Sequence, residues 1–323
     1  MANYLITGGA GFIGSHLAET LLKAGHRVRI LDNFSTGRRE NIKVIQMIAP
    51  QNLEIIEGDI RNRKACDQAV SGMDFVFHEA AQVSVPKSVN DPETTQEINI
   101  GGTLNILSAG KRAGIKRLVL ASSTAIYGDS PNEKDSLKPK KEPLTPNPLS
   151  PYALSKLVGE YYCRLFSKVY DLPAVALRYF NVFGPRQDPN SEYAAVIPKF
   201  IERLLQDTPP VIYGDGKQSR DFVYVGDVVQ ANLKACLQTG IEGEVFNIAS
   251  GRSYTLLQLL EHLKKILRSD QGPVFEPARL GDIRHSKADI RKARKLLGFQ
   301  PETGFRQGLK TTIKMMKKTK GVR

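Results

Sequence analysis

The chain has 323 residues, with 46 Lys and Arg against 33 Asp and Glu, a net charge of +13, 41% apolar and 24% charged residues. That is the composition of a folded globule with a large core, not of a disordered or fibrous chain. No apolar run reaches the ~18 residues of a membrane span, and Met1-Ala2-Asn3 leads straight into a strand without a basic leader, so a cytoplasmic protein without a membrane partner is expected. Cys66, Cys163 and Cys236 are odd in number and widely spaced, which fits reduced core thiols better than a disulfide frame or a zinc site. Excess positive charge favours an anionic, phosphorylated substrate. The basic end, with Lys310, Lys314, Lys317, Lys318, Lys320 and Arg323, lacks interleaved aromatics, so a solvated terminus is expected there and no nucleic-acid partner.

Tyr4–Thr7 reads as a short apolar strand that ends in Gly8-Gly9-Ala10-Gly11-Phe12-Ile13-Gly14 and becomes helical through Leu17, Leu21 and Leu22. Gly8, Gly11 and Gly14 let the backbone turn tightly and approach a pyrophosphate, whose charge then rests on the helix N-terminus. The next strand, Arg27–Leu31, ends at Asp32, about where a carboxylate takes adenosine ribose hydroxyls. A carboxylate there repels a 2′-phosphate, which favours NAD over NADP, although Arg38 and Arg39 follow closely and could rescue a phosphate. Leu53–Gly58 is a third strand, followed by Asp59-Ile60; Asp59 could bond the adenine amino group or cap a helix. Asp74–His78 is a fourth strand that runs into Glu79-Ala80-Ala81-Gln82, where small alanines let a dinucleotide pass, and His78 reads as structural.

Thr94 to Ala113 reads as one helix stopped by Gly114. Arg117–Ala121 is a fifth strand that ends in Ser122-Ser123-Thr124-Ala125. Strands alternating with helices imply a Rossmann-type doubly wound parallel α/β sheet, whose ligands gather at the strand C-termini; Gly8, Asp32, Asp59, Ala80 and Ser123 all fall there. From Asp129 to Pro151 the chain holds six prolines and reads as a long loop capable of covering the site. Ser150 and Pro151 then start a helix as N-cap and first residue, which places Tyr152 and Lys156 one turn apart on one face. A phenol titrates near ~10, so it needs a neighbouring cation before it can take a proton from a sugar hydroxyl near neutral pH. Ala174–Phe180 is the next strand, followed by Asn181. Beyond residue 186 the alternation loosens into a smaller lobe: a helix over Ile197–Gln206, strands at Val211–Gly216 and Ser219–Val225, a helix over Asp227–Leu237, a strand at Val245–Ile248 and a helix capped by Thr255. The expected division is 1–186 for the NAD-binding domain with the Tyr/Lys helix and 187–323 for the substrate lobe, with segments near 220–250 returning to the main sheet.

Together these motifs resemble the extended short-chain dehydrogenase/reductase family, and within it the nucleotide-sugar 4-epimerases. The resemblance covers nearly the whole chain through the glycine turn, Asp32, Asp59-Ile60, Ala80-Ala81, Ser123, Tyr152 with Lys156, Leu177–Asn181, Ser219-Arg220-Asp221 and Arg279-x-x-Asp282. It implies NAD as a tightly held cofactor contacted by Gly8, Gly11, Phe12, Ile13, Gly14, Asp32, Asn33, Asp59, Ile60, Ala80, Ala81, Gln82, Asn99, Ser122, Tyr152, Lys156 and Phe180. Tyr152 and Ser123, with Thr124, would act at the sugar O4, Lys156 would hold the nicotinamide ribose, and a 4-keto sugar would form transiently. Ser84, Asn181, Ala195, Val196, Tyr213, Arg220, Arg279, Asp282 and Ser286 would hold the UDP-sugar.

Sugar 4,6-dehydratases resemble this chain but carry Asp-Glu at Thr124-Ala125, and decarboxylating relatives carry Glu at Ala125, so the neutral pair points to epimerisation. Epimerases restricted to UDP-glucose and UDP-galactose carry a Tyr where Ser286 stands; a small residue leaves room for an N-acetyl group. UDP-GlcNAc and UDP-GalNAc, with UDP-glucose and UDP-galactose beside them, are the expected substrates. The alternatives are a UDP-glucuronate 4-epimerase or a non-catalytic, nucleic-acid-binding relative. A homodimer is expected through regions 94–113 and 152–170, with Leu157, Tyr161 and Leu165 as an apolar seam.

Overall fold

The computed structural model describes residues 1–129, 136–188, 195–278 and 283–320. Strands that are apolar on both faces need cover on both faces, and this chain supplies it. Along the chain run β1 (Asn3–Thr7), β2 (Arg27–Asp32), β3 (Leu53–Glu57), β4 (Phe75–His78), β5 (Arg117–Ser123), β6 (Ala174–Tyr179), β7 (Asn181–Phe183), β8 (Val211–Tyr213), β9 (Ser219–Tyr224), β10 (Val245–Ile248), β11 (Ser253–Thr255) and β12 (Val274–Glu276). Seven of them form one sheet in the order β10-β6-β5-β4-β1-β2-β3, with every pairing parallel. Alternation along β1 shows the two layers: Tyr4 and Ile6 pack with Leu17, Leu21 and Val228 on one face, and Leu5 packs with Ala69, Ile106 and Phe166 on the other. Each fully buried Leu, Ile or Phe stabilises by roughly 1.5–3 kcal/mol. Cys66, Cys163 and Cys236 are buried free thiols within these layers.

Smaller sheets, β11-β9-β7 and β12-β8, belong to the second lobe. There Phe183, Phe222, Ile201, Leu259 and Leu309 make a separate core under the Val196–Leu205, Leu256–Leu267 and Phe305–Lys320 helices. Thr255 caps the Leu256–Leu267 helix in a reciprocal box with Gln258. No helix among the described residues is long and apolar enough to cross a membrane.

The expected single helix over 94–113 is three pieces: Pro92–Gln96, a π-helical Glu97–Gly102, and Thr103–Ala113, which Gly114 ends at φ +66°. A Cβ on Gly102 would lie 2.5 Å from the Ile60 side chain, so that glycine lets the widened turn press onto the end of β3. Among the elements outside the sequence reading are the Val85–Asn90 helix, capped by Ser84, and β7, which pairs with β9.

Candidate active site

The described site residues gather along the C-terminal edge of the seven-stranded sheet and the adjoining lobe. After β1 the chain turns through Gly8 into the Phe12–Lys23 helix, whose N-cap Gly11 makes no side-chain bond. Gly8 has φ +69°, and a Cβ on it would sit 2.8 Å from the Ala80 nitrogen, while one on Gly14 would collide with the Gly8 carbonyl oxygen. The result is a cradle of backbone with half-buried Phe12 and Ile13 at its mouth, which fits the pyrophosphate of a dinucleotide. At the end of β2 the buried Asp32 carboxylate accepts from the amides of Ala10 at 2.9 Å and Phe34 at 2.8 Å, and burial pushes its carboxyl upward. The two arginines that could take a 2′-phosphate are engaged elsewhere. Arg39 stacks over Phe34 at 4.1 Å and grips Glu57 at 2.8 Å, and Arg38 lies 3.7 Å from Glu40 and 3.9 Å from Asp188.

Asp59 does not cap a helix; Asn62 caps Arg63–Val70. Its carboxylate instead accepts from Asn33 at 2.9 Å and from Arg61, and the Arg61 hydrogen bond leads the effects that hold it down at about 2. Ile60 is buried. Ala80 donates its amide to Thr7 at 3.2 Å. Half-buried Ala81 is followed by Gln82, whose amide and carbonyl are both bonded by the Asn99 side chain, at 2.8 and 3.0 Å. His78 is structural, as the sequence suggests: its Nδ1 hydrogen-bonds with the Thr7 hydroxyl at 2.7 Å and its Nε2 with the Thr103 hydroxyl at 3.0 Å. Burial drives its pKa down to about 3, so it stays neutral.

Ser150 caps the Pro151–Val169 helix by accepting from the Ala153 amide at 3.1 Å. The Tyr152 amide is held by Ser88 at 3.1 Å, and Ser155 accepts from Asn99 at 2.9 Å. These contacts fix the register in which Tyr152 and Lys156 face the end of β5. Ser123 faces the Tyr152 phenol and draws back a pKa that burial raises, and its hydroxyl caps the Thr124–Tyr127 turn by accepting from the Ala125 amide at 3.1 Å. Lys156 Nζ lies 5.9 Å from the Tyr152 ring centroid and donates to the Ala121 carbonyl at 2.8 Å. Burial pushes Lys156 down to about 8. Burial thus dominates the Tyr152 phenol, with Ser123 drawing it back.

Ser122 turns away from this centre. Its hydroxyl donates to Glu160 at 2.5 Å, and Glu160 takes both Arg178 Nε and Nη2, at 2.8 and 2.7 Å. Arg178 also donates to the Tyr127 hydroxyl at 2.8 Å, which donates to Asn247 at 2.7 Å. Sequence reasoning gave Ser122 to the cofactor and quoted Arg178 only within a motif, and it did not pick out the Glu160–Arg178 pair; a charged residue at the fourth position after Lys156 and another in the middle of an apolar strand were the available signal.

On the substrate side, Phe180 is buried beside Tyr127, Leu157 and Ala288. The side-chain oxygens of Asn181 and Ser286 are buried without hydrogen-bond partners, and the Ser286 amide donates to Ser219 at 3.0 Å. Arg220, on β9, donates to the Ser219 carbonyl at 2.9 Å. Ala195 caps the Val196–Leu205 helix without a side-chain bond, and Tyr213 closes β8. Ser84 accepts from the Lys87 amide at 3.2 Å, which gives it a capping task that the sequence did not suggest. Arg279 and Asp282 lie outside the described residues. The loop after Gly128 is fastened where it is described, by Asn147 to Ile126 at 2.9 Å and by Lys140 to Lys287 at 2.8 Å.

Comparison with known proteins agrees with this geometry. Residues 4–249 match the NAD dependent epimerase/dehydratase family. A UDP-glucose 4-epimerase of Mycolicibacterium smegmatis is 37% identical over 97% of this chain and 98% of its own. The solved UDP-N-acetylglucosamine 4-epimerase of Methanobrevibacter ruminantium, in complex with UDP-N-acetylmuramic acid, superposes with a TM-score of 0.92 at 42% identity, covering 98% of this chain and 99% of that one. The UDP-glucuronic acid 4-epimerase of Bacillus cereus, solved with UDP-glucuronic acid and NAD, gives 0.89 at 32% identity, with 98% and 99% covered. The fold, the dinucleotide cradle and the Ser123, Tyr152 and Lys156 cluster thus have their explanation: the chain belongs to the NAD dependent epimerase/dehydratase family, the extended short-chain dehydrogenases, with NAD as its cofactor.

Proposed function

We propose that this protein is a 4-epimerase of UDP-linked hexoses. The observation that carries the reading is the convergence of Ser123, Tyr152 and Lys156 at the end of β5, with Lys156 Nζ 5.9 Å from the Tyr152 ring centroid and held by the Ala121 carbonyl, next to the neutral pair Thr124-Ala125, which offers no second acid and base for elimination or decarboxylation. When bound in the Gly8–Gly14 cradle, NAD supplies the hydride acceptor and donor for C4 of the sugar. Tyr152 takes the O4 proton and returns it. Ser123 orients O4 and stabilises the phenolate through its hydroxyl, and Thr124 shares that task. Asn181 and Arg220 would hold the nucleoside diphosphate while the sugar turns.

For the sugar, the Bacillus cereus relative directs attention to uronates, and with decarboxylation disfavoured at Ala125 we place UDP-glucuronate first. A second reading, UDP-N-acetylhexosamine, rests on the small, buried and unpartnered Ser286 hydroxyl. Incubating the protein and NAD with UDP-glucuronate, UDP-GlcNAc and UDP-glucose separately, and following the C4 epimers by NMR, tests both. Turnover of glucuronate alone supports the first reading and turnover of UDP-GlcNAc the second; silence on all three overturns the epimerase assignment. Ser286→Tyr should abolish turnover of N-acetyl sugars and spare UDP-glucose.

We also infer a homodimer, with a corrected seam. Leu157 is buried against Phe180 and Tyr127 within its own subunit. The exposed apolar residues of that helix are Leu154 at 50%, Tyr161 at 58%, Leu165 at 44% and Val169 at 59%, which share one face at spacings of seven, four and four.

A further inference from the structure

Glu79 follows β4 at the same sheet end as the catalytic cluster, and the mechanism above does not use it. Its carboxylate accepts from the Tyr179 hydroxyl at 2.8 Å, and that hydroxyl accepts in turn from Asn232 at 2.8 Å. Tyr179 is the register partner of Ser123 on the neighbouring strand, and β5 lies between β4 and β6. The Glu79–Tyr179 bond therefore spans the end of β5, where Ala121 holds Lys156 Nζ at 2.8 Å. The groups that act on the carboxylate are Tyr179 from β6 and Lys156 from the Pro151–Val169 helix; Asn232 from the Val225–Leu237 helix meets the Tyr179 hydroxyl, and His78 on its own strand is neutral and bonded to Thr7 and Thr103. Lys156 itself is buried, and the anion that acts on it is Glu79.

We propose that Glu79 is a positioning residue of the catalytic centre: held by Tyr179 across the end of β5, its carboxylate is the counter-charge that keeps Lys156 cationic beside Tyr152. The proposal rests on the reading of Lys156 as part of the catalytic cluster. A buried ammonium without an anion sheds its proton, and a carboxylate held by one hydroxyl and facing that ammonium ionises only near neutrality. The directions agree: burial raises Glu79 to about 7 and Lys156 draws it back, while burial lowers Lys156 to about 8 and Glu79 draws it back. Lys156 is thus cationic below about 8, and activity that needs its charge should fall above that pH.

The test is Glu79→Gln in the full-length, NAD-loaded protein, compared with wild type over pH 6–10. Loss of the anion should move the alkaline limb of kcat/KM to lower pH by about one unit, the scale set by one neighbouring charge, and Glu79→Asp should recover part of the shift. An unmoved limb, or a loss equal at every pH, overturns the proposal. A second readout needs no substrate, so it stands apart from the identity of the sugar. A carboxyl raised from 4.5 to about 7 in the folded state costs stability progressively as pH rises through that window. The urea midpoint of Glu79→Gln should therefore gain on wild type between pH 4.5 and 7, and a gap that is constant with pH overturns the claim that Glu79 ionises in place. Should Glu79→Gln fail to fold, Tyr179→Phe, which frees the carboxylate but keeps its charge, should move the limb the same way by less, and no movement there counts against the proposal.

Discussion

Replacing Glu160 by Gln isolates the charge of the most buried ion pair near the catalytic serine. The side chains of Glu160 and Arg178 are only 3% and 5% exposed, and the carboxylate accepts three bonds: two from Arg178, at 2.8 and 2.7 Å, and one from Ser122 at 2.5 Å. Gln keeps the shape but presents an amide donor to one of those donors and leaves the guanidinium without its counter-ion. Breaking such a buried pair costs about 3–5 kcal/mol. With an unfolding entropy of about 2.1 cal/mol/K per residue, a chain of 323 residues loses roughly 1.5 °C of Tm for each kcal/mol, so the expected drop is about 4–7 °C. Differential scanning calorimetry at pH 7.5 with saturating NAD measures it. A fall below about 1 °C would refute the view that this pair is held against an uncompensated charge. The double variant Glu160→Leu/Arg178→Leu should regain at least half of the loss, since the cost lies in the orphaned charge and not in missing attraction; failure to regain any would show that the Tyr127–Asn247 arm of the network matters more.

Tyr152→Phe should lower kcat by about 10²–10⁴-fold and Ser123→Ala by about 10²-fold, with NAD still bound by fluorescence titration; full activity in Tyr152→Phe would remove it from proton transfer. Asp32→Ser should weaken NAD binding by about tenfold or more without yielding tight NADP binding, because Arg38 and Arg39 are already paired; calorimetric titration with both cofactors decides. Leu154→Asp/Tyr161→Asp should turn a dimer into a monomer in analytical ultracentrifugation, and an unchanged sedimentation coefficient would place the subunit interface elsewhere.

The alternating strands and helices were legible because most strands of the main sheet are rich in Val, Ile, Leu or Phe and are closed by Gly, Asp, Ala or Ser near their C-terminal ends. Those same closing residues, Gly8, Asp32, Asp59, Ala80 and Ser123, mark the site. The π-helical turn at Glu97–Gly102 was not legible, since its residues repeat as an ordinary helix would, and only contact with Ile60 shows why Gly102 is there. Glu79 and Glu160 were passed over for a related reason: a carboxylate beside an apolar strand reads as exposed until a distant hydroxyl or guanidinium is known to meet it. The burial of Tyr152 and Lys156 was not legible either, because spacing on a helix says nothing of it, and burial leads the shift of both groups. Leu157 was assigned to the dimer seam on periodicity alone, and the packing of Phe180 and Ile126 claims it instead.

The placement of β10 beside β6 has a consequence for how this chain is made. During synthesis, β6 is complete at Tyr179, yet its neighbour begins at Val245, about 65 residues later. At ~5–20 residues per second on the ribosome, the apolar run Ala174–Leu177 spends several seconds as the unpaired border of a nascent sheet. Such a border is a template for pairing with another chain. Premature termination between residues 180 and 244 therefore yields a product with an open, sticky edge, and chaperone occupancy on translating ribosomes should rise across that interval and fall once Ile248 has emerged.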